Sequence, residues 1–296
     1  MRVQHDTTLQ AFYDRAAPFL QQREAEHNMF LSLMGDLLRQ PPETPPVHSY
    51  YATVETDDGE MVAAAYYGGF RLMMSHCKTG CESAFDELLK DAASSQIDEL
   101  VVPTELDHGV ADTWFALTGR RLTIDLAARV YRLDTVKAPQ NVVGTMRWAT
   151  SPQDDNLMRA WMTAFEIESF GVSPRDIDEE RLTRWLQRFR SGTLYRLALW
   201  QVDGTPVSMA ATVGRSPHAM RIGVVYTPPE QRGQGYASAL VAALSQSLLD
   251  SGVQFCTLNT DLGNLTSNKI YQAIGYYPVA DQTMYEVEPL AGEELR

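Results

Sequence analysis

The sequence predicts an α/β (α+β) protein built from two similarly ordered halves, on three observations. Hairpin turns ending in Asp-Gly, Asp57-Asp58-Gly59 and Asp203-Gly204, occupy corresponding positions of the halves. Apolar residues form helical stripes, most clearly Leu182, Trp185, Leu186 and Phe189 at i, i+3, i+4, i+7. Each half also reads hairpin, long helix, strand, short helix, strand, with Phe115-Ala116-Leu117-Thr118-Gly119 echoed by Tyr271-Gln272-Ala273-Ile274-Gly275. This order reads as a distant internal duplication; two unrelated α/β domains are the alternative.

Composition narrows the function. The chain has 296 residues, with 25 Lys+Arg against 38 Asp+Glu, a formal charge of −13. At roughly 100–200 residues per domain, that length favours two domains. So acidic a chain is repelled by nucleic-acid phosphates. No apolar run approaches the roughly 18–20 residues of a membrane span. The start, MRVQHDTTLQ, lacks the layout of a signal peptide. Three cysteines, Cys77, Cys81 and Cys256, fit a reducing cytoplasm. Cys77-x-x-x-Cys81 beside His76 falls short of the usual four zinc ligands, so no metal is expected.

In chain order, Asp6, Thr7 and Thr8 offer N-cap oxygens before an apolar helix, and a second series runs Met29, Leu33, Leu37. Pro41–Pro46 must be a loop, because proline lacks the amide hydrogen both regular structures need. A hairpin (50–55, 61–67), a helix near 81–94, a strand near 99–102, a helix near 110–117 and a strand near 127–133 follow. The break Lys137-Ala138-Pro139-Gln140-Asn141 separates a first domain, 1–137, from a second, 142–296. The second has a strand at 145–148, a helix over 152–165 with Ser151 as N-cap and Pro152 in its first turn, and a helix from about Asp178. A hairpin (194–200, 207–213), a strand at 220–226, a helix at 235–251, a strand at 255–259, a helix at 266–274 and a strand near 284–287 complete it.

The halves differ most before their long helices. The second has Thr227-Pro228-Pro229-Glu230-Gln231-Arg232-Gly233-Gln234-Gly235-Tyr236-Ala237 there, whereas the first has only Ser75-His76-Cys77-Lys78-Thr79-Gly80. Glycines let an oxyanion approach the main chain, and successive amides can point into one concavity. The helix from Gly235 adds free N–H groups and its positive end, and Arg232 adds a cation. Together they suit a phosphate or diphosphate. The loop is neither the Gly-Lys-Ser/Thr of triphosphate binders nor GxGxxG, since Tyr236-Ala237-Ser238 follow Gly235.

Arg232-x-x-Gly235-x-Ala237 after a strand resembles the (Arg/Gln)-x-x-Gly-x-(Gly/Ala) signature of the GNAT superfamily of N-acetyltransferases. Asn264-Leu265-Thr266-Ser267-Asn268-Lys269-Ile270-Tyr271-Gln272-Ala273-Ile274-Gly275-Tyr276 resembles the family's second signature, and both occur in the family's order. The resemblance covers about residues 143–289 and extends to a bacterial subgroup of two-domain members. It implies tandem domains, each with a mixed, mostly antiparallel central sheet flanked by helices, the first a degenerate copy lacking the loop. Phe115 would stand there in place of Tyr271. It implies acetyl-CoA as co-substrate, held by Val225, Thr227, Arg232, Gly233, Gln234, Gly235, Tyr236, Ala237 and Asn264.

Acetyl transfer to an amine needs a neutral amine, a donor for the carbonyl oxygen and a proton source for the thiolate. At pH 7, deprotonating an alkylammonium of pKa about 10.4 costs on the order of 4–5 kcal/mol. The resemblance makes Tyr271 the acid. Base candidates, in order, are Glu166, Glu168 and Asp261; Glu230, beside the cradle, is expected to point away. The expected reaction is acetylation of a small-molecule or peptide primary amine by direct attack on the thioester, by a monomer or homodimer with no nucleic-acid or membrane partner. A non-catalytic acyl-CoA-binding or regulatory module is the alternative.

Overall fold

The computed structural model describes residues 1–39, 48–150, 152–192 and 194–289; the proline-rich loop at 41–46 and the Ser151 cap lie outside them. The chain divides into two compact units. The first comprises Met1–Val130, Asn259–Asn264 and Pro278–Arg296, the second Tyr131–Leu258 and Leu265–Tyr277.

Early elements run β1 (Arg2–His5), α1 (Leu9–Leu20), α2 (Asn28–Arg39), β2 (Tyr50–Glu55), β3 (Met61–Tyr67), β4 (Leu72–Met74), α3 (Ser83–Ala92), β5 (Glu99–Pro103), α4 (Val110–Thr118) and β6 (Leu122–Leu133). Thr8 caps α1 by accepting the Ala11 N–H at 3.2 Å. Strands β1 to β4 pair antiparallel in sequence, and β4 pairs parallel with β5. One face packs on α1 and α2 through Phe12, Phe30 and Tyr66, the other on α3 and α4 through Phe85, Leu88 and Trp114.

Later elements repeat the plan: β7 (Thr145–Trp148), α5 (Asp155–Phe170), α6 (Glu179–Ser191), β8 (Leu197–Val202), β9 (Thr205–Arg215), β10 (Ala219–Tyr226), α7 (Tyr236–Asp250), β11 (Phe255–Asp261), α8 (Leu265–Ala273) and β12 (Tyr277–Val287). Strands β7 to β10 are antiparallel and β10–β11 parallel, matching the pairing of β1 to β5 step for step. The duplication therefore holds at the level of topology and reaches further back than the hairpin, to β1 and two helices per half. The Asp203-Gly204 turn has φ of +48° and +79°, the two positive values a tight hairpin requires. Along β8, Leu197 and Leu199 face α5 and α6 while Ala198 and Trp200 face the α7 side, the two-residue alternation of a strand covered on both faces.

Three expectations need correction. Helix α5 starts at Asp155 rather than Pro152 and runs to Phe170, so Glu166 and Glu168 belong to its last turns and not to a loop beyond it. Asp154 provides no side-chain cap. Its carboxylate is drawn sideways instead, to both Arg147 Nη atoms at 2.7 and 2.8 Å and to the Thr150 N–H at 2.7 Å. Phe115 does not reproduce the buried setting of Tyr271: it is 45% exposed under the Arg121 guanidinium, and its neighbour Trp114 fills the core. Finally, β12 pairs antiparallel with β5, from Gln282↔Pro103 to Glu286↔Glu99, and the stretch from Pro278 belongs to the first unit. The last strand of the chain thus completes the earlier half's sheet, which a single cut at 137–142 does not convey.

Candidate active site

The site is built where β10 leaves its neighbours. Parallel pairing with β11 runs from Ala219↔Phe255 to Arg221↔Thr257, while β10 itself continues to Tyr226. On its other side, Gly223 opposes Ala211 and Tyr226 opposes Met209, so Val224 and Val225 together face one residue of β9. That is a β-bulge. Val224 adopts φ +53°, an outlying conformation for a β-branched residue, and such strain concentrates at functional sites. Nothing in the sequence signalled Val224, because a valine run is what an ordinary strand contains.

Pro228 and Pro229 then turn the chain through a single 3-10 turn, Pro229–Gln231, in which the Gln231 and Arg232 N–H groups close back on the carbonyls of Pro228 and Pro229. Arg232 is extended, and Gly233 and Gly235 both take φ +80°. Left-handed glycines of this kind are what a main-chain anion nest uses. A Cβ at Gly233 would meet nothing within 4 Å, so the space above the loop is open. Gly235 is the N-cap of the 15-residue α7 and offers no side-chain cap. Tyr236, Ala237 and Ser238 therefore open the helix without a side-chain acceptor from the cap, where the positive end of the dipole lies. Arg232, Gly233, Gln234 and Gly235 are exposed, whereas Val225 and Tyr236 pack against the core cluster that contains Tyr271. These features fit an acyl-CoA diphosphate: glycines where bulk would intrude, an uncapped helix start and a guanidinium.

Arg232 is not idle. Its Nε donates to the Thr227 carbonyl at 2.9 Å and its Nη2 to the Glu168 carboxylate at 2.5 Å. Thr227 is itself anchored through Oγ1 to Ser208 at 2.9 Å. Glu168 also lies by Tyr226: burial first, and then this carboxylate, push the Tyr226 phenol above its ordinary range. Trp161 packs against the Tyr226 ring, with centroids 6.2 Å apart. Glu166 is instead engaged by Arg181 and is 15% exposed. Sequence reasoning named both carboxylates, though in a loop beyond the helix, and neither of their partners, which come from α6 and from the loop.

Tyr271 is 8% exposed, between the rings of Tyr131 and Tyr276 at 6.3 and 6.1 Å. Burial pushes its phenol up to about 12, against a smaller opposing effect of the Ser267 hydrogen bond. One turn earlier, Asn268 accepts the Tyr131 hydroxyl at 2.8 Å. Asn264 precedes α8 and belongs, with Asp261, to the 259–264 segment of the first unit. Its N–H closes on the Asp261 carbonyl at 3.1 Å, while the Asp261 carboxylate takes the Gly263 N–H at 2.7 Å. These contacts make Asp261 a turn former. Glu230 is exposed in the 3-10 turn. Among the described residues no group of His, Cys, Asp and Glu is arranged to hold a metal, and no helix is long and apolar enough to cross a membrane.

Comparison with known proteins places a family match in the later half of the chain. Residues 154–276 match the sequence model described as "Acetyltransferase (GNAT) family". No curated protein sequence matches the chain. Among solved structures, a GCN5-related N-acetyltransferase from Sphaerobacter thermophilus is 17% identical, with 96% of this chain and 94% of that one covered and a TM-score of 0.60. A GNAT-family acetyltransferase from Colwellia psychrerythraea is 13% identical, covered at 97% and 100%, with a TM-score of 0.55. A tandem GNAT protein from the clavulanic acid biosynthesis pathway is 12% identical, covered at 99% and 100%, with a TM-score of 0.53. At these identities the likeness speaks for the fold, and the fold is that of GNAT proteins along nearly the whole chain. Residues 154–276 are thus a GNAT-family acetyltransferase domain, set in a chain whose fold is similar to that of GNAT proteins.

Proposed function

We propose that the chain is an acetyl-CoA-dependent N-acetyltransferase acting on the primary amine of a small molecule or peptide. The observation that carries this reading is the loop from Arg232 to Gly235, with both glycines at φ +80°, between a bulged strand and an uncapped helix. Acetyl-CoA, when bound, supplies an activated carbonyl and a thiol leaving group. The amides around Gly233–Ala237 and the Arg232 guanidinium bind its diphosphate. The bulge at Val224-Val225 turns a main-chain N–H toward the carbonyl oxygen, where negative charge develops during attack. The acceptor attacks as its neutral amine, one ammonium proton having gone to solvent, and a carboxylate, Glu168 before Glu166, takes the second nitrogen proton as the C–N bond forms and the C–S bond breaks.

Tyr271 donates a hydrogen bond to the departing sulfur. With the phenol near 12 and a thiol near 8.5, complete transfer would be uphill by about 5 kcal/mol. Water therefore supplies the proton, and the phenol stabilises the thiolate until it arrives. Asn264 contributes from the turn before α8. The acidic balance of the chain, −13 overall, favours a cationic acceptor.

A second reading, a non-catalytic acyl-CoA-binding module, is favoured by one observation: both Glu166 and Glu168 are engaged by arginines. Titration calorimetry with acetyl-CoA, together with a thiol-release assay over a panel of amines, decides between them. Binding with thiol release supports the enzyme, binding with none on any amine supports the module, and absence of binding overturns both.

A further inference from the structure

We infer that Glu168 and Arg232 form a latch that the diphosphate of the co-substrate opens, so that the carboxylate is delivered to the acceptor amine only when acetyl-CoA is in place; the inference rests on the N-acetyltransferase reading. The guanidinium has two engagements, the Thr227 carbonyl through Nε and Glu168 through Nη2. The first holds it at the head of the loop. The second places it in competition, because a diphosphate offers more charge and more acceptor oxygens to the same planar fork than one carboxylate does. The pair is about half exposed, 48% for Arg232 and 40% for Glu168, so breaking it costs little.

Glu168 loses more than a partner when the latch opens. It lies in the last turn of α5, which ends at Phe170, where the negative end of the helix dipole repels an anion. The groups left around it are the Tyr226 hydroxyl and, through Tyr226, the Trp161 ring. An anion in that position attracts a cation, and an alkylammonium meets the demand. The carboxylate holds it beside the thioester; once the nitrogen has lost one proton to solvent and attacks, the carboxylate takes the second proton and becomes a neutral carboxyl. By thermodynamic reciprocity, acceptor binding and co-substrate binding strengthen one another.

The test is CoA binding by calorimetry for wild type, Glu168→Gln and Arg232→Met, with acetyl-pantetheine, which lacks the diphosphate, as a control ligand. Glu168→Gln should bind CoA about 2- to 5-fold more tightly, the worth of one exposed ion pair, with acetyl-pantetheine affinity unchanged. Thiol release should fall about 100-fold or more, and Glu168→Asp should restore wild-type CoA affinity. In the Arg232→Met background, Glu168→Gln should leave CoA affinity unaltered. Wild type that binds CoA while Glu168→Gln binds it equally or more weakly overturns the latch and leaves the N-acetyltransferase reading standing. Wild type that fails to bind CoA overturns that reading itself.

Discussion

Tyr271 and the two loop glycines are single residues whose environments dictate what substitution should do. Because the Tyr271 phenol is held near 12 by burial, it stays protonated throughout the working range. Tyr271→Phe should lower kcat about 10- to 100-fold, the lower part of what a positioned donor contributes, with the Kd for CoA within about 2-fold of wild type. The pH–rate profile of wild type should show no alkaline fall from this group below about pH 10. Gly233 makes the complementary case. Its Cβ position is open, so a Gly233→Val side chain starts in free space, yet the φ of +80° costs about 1–2 kcal/mol. CoA affinity, measured by calorimetry, should nevertheless fall more than about 10-fold, since the side chain would stand over the anion nest. In the sequence, Gly233 stood out as a glycine in a loop before a helix, and Tyr271 through the resemblance of 264–276 to the family's second signature. Val224 was not, because its positive φ is imposed by a register jump between strands, which no local pattern encodes. The partners of Glu166 and Glu168 were hidden for a related reason: an ion pair 15 or 64 residues apart in sequence leaves no spacing signal.

Elements were legible where one physical rule acted alone. The α6 stripe, the helix start at about Asp178 and the Asp203-Gly204 turn were each decided locally, and each formed. Ser151 and Pro152 pointed to an α5 start three residues before the observed one at Asp155, and the Asp154 carboxylate at that start is spent on a bidentate ion pair to Arg147 rather than on a cap. The entry to α2 shows a different competition, with a measurable consequence. His27 is fully buried, its Nδ1 2.9 Å from the Leu20 carbonyl and its Nε2 accepting the His76 N–H at 3.2 Å. That pair of bonds requires the neutral tautomer with hydrogen on Nδ1, and burial pulls the imidazole down to about 4. The unfolded chain, with its histidine near 6.5, binds a proton that the folded chain refuses between those values. Stability is therefore full above about pH 6.5 and is lost on acidification, by about 1.4 kcal/mol per pH unit for this one group. Burial pulls the neighbouring His76 down as well, to about 3, so urea unfolding at pH 6 and 5 should show at least that slope and His27→Gln should reduce it.

At the scale of the whole molecule, the duplication explains both the halves' resemblance and their unequal roles. Each repeats four antiparallel strands, then a parallel partner, but only the later half has the loop glycines, so the shared scaffold carries a proposed reaction centre once. The repeated order was visible in the sequence because hydrophobic period and turns are read segment by segment. The destination of β12 was not, because strand pairing is non-local and an alternating apolar segment suits any open edge equally. Its place beside β5 makes a prediction about folding. Met284, Tyr285 and Val287 are buried among side chains of the first unit, and Asp281 is held by Arg129 at 2.7 and 2.8 Å. A fragment ending at residue 137 would expose the β5 edge and the apolar surface those residues cover, which invites aggregation. It should show no cooperative unfolding transition. The same fragment carrying residues 277–289 on a flexible linker should regain one, since the missing strand would be supplied in the same chain at high effective concentration. Cooperative unfolding of 1–137 alone, followed by circular dichroism in urea, would show that β12 is dispensable to the earlier half.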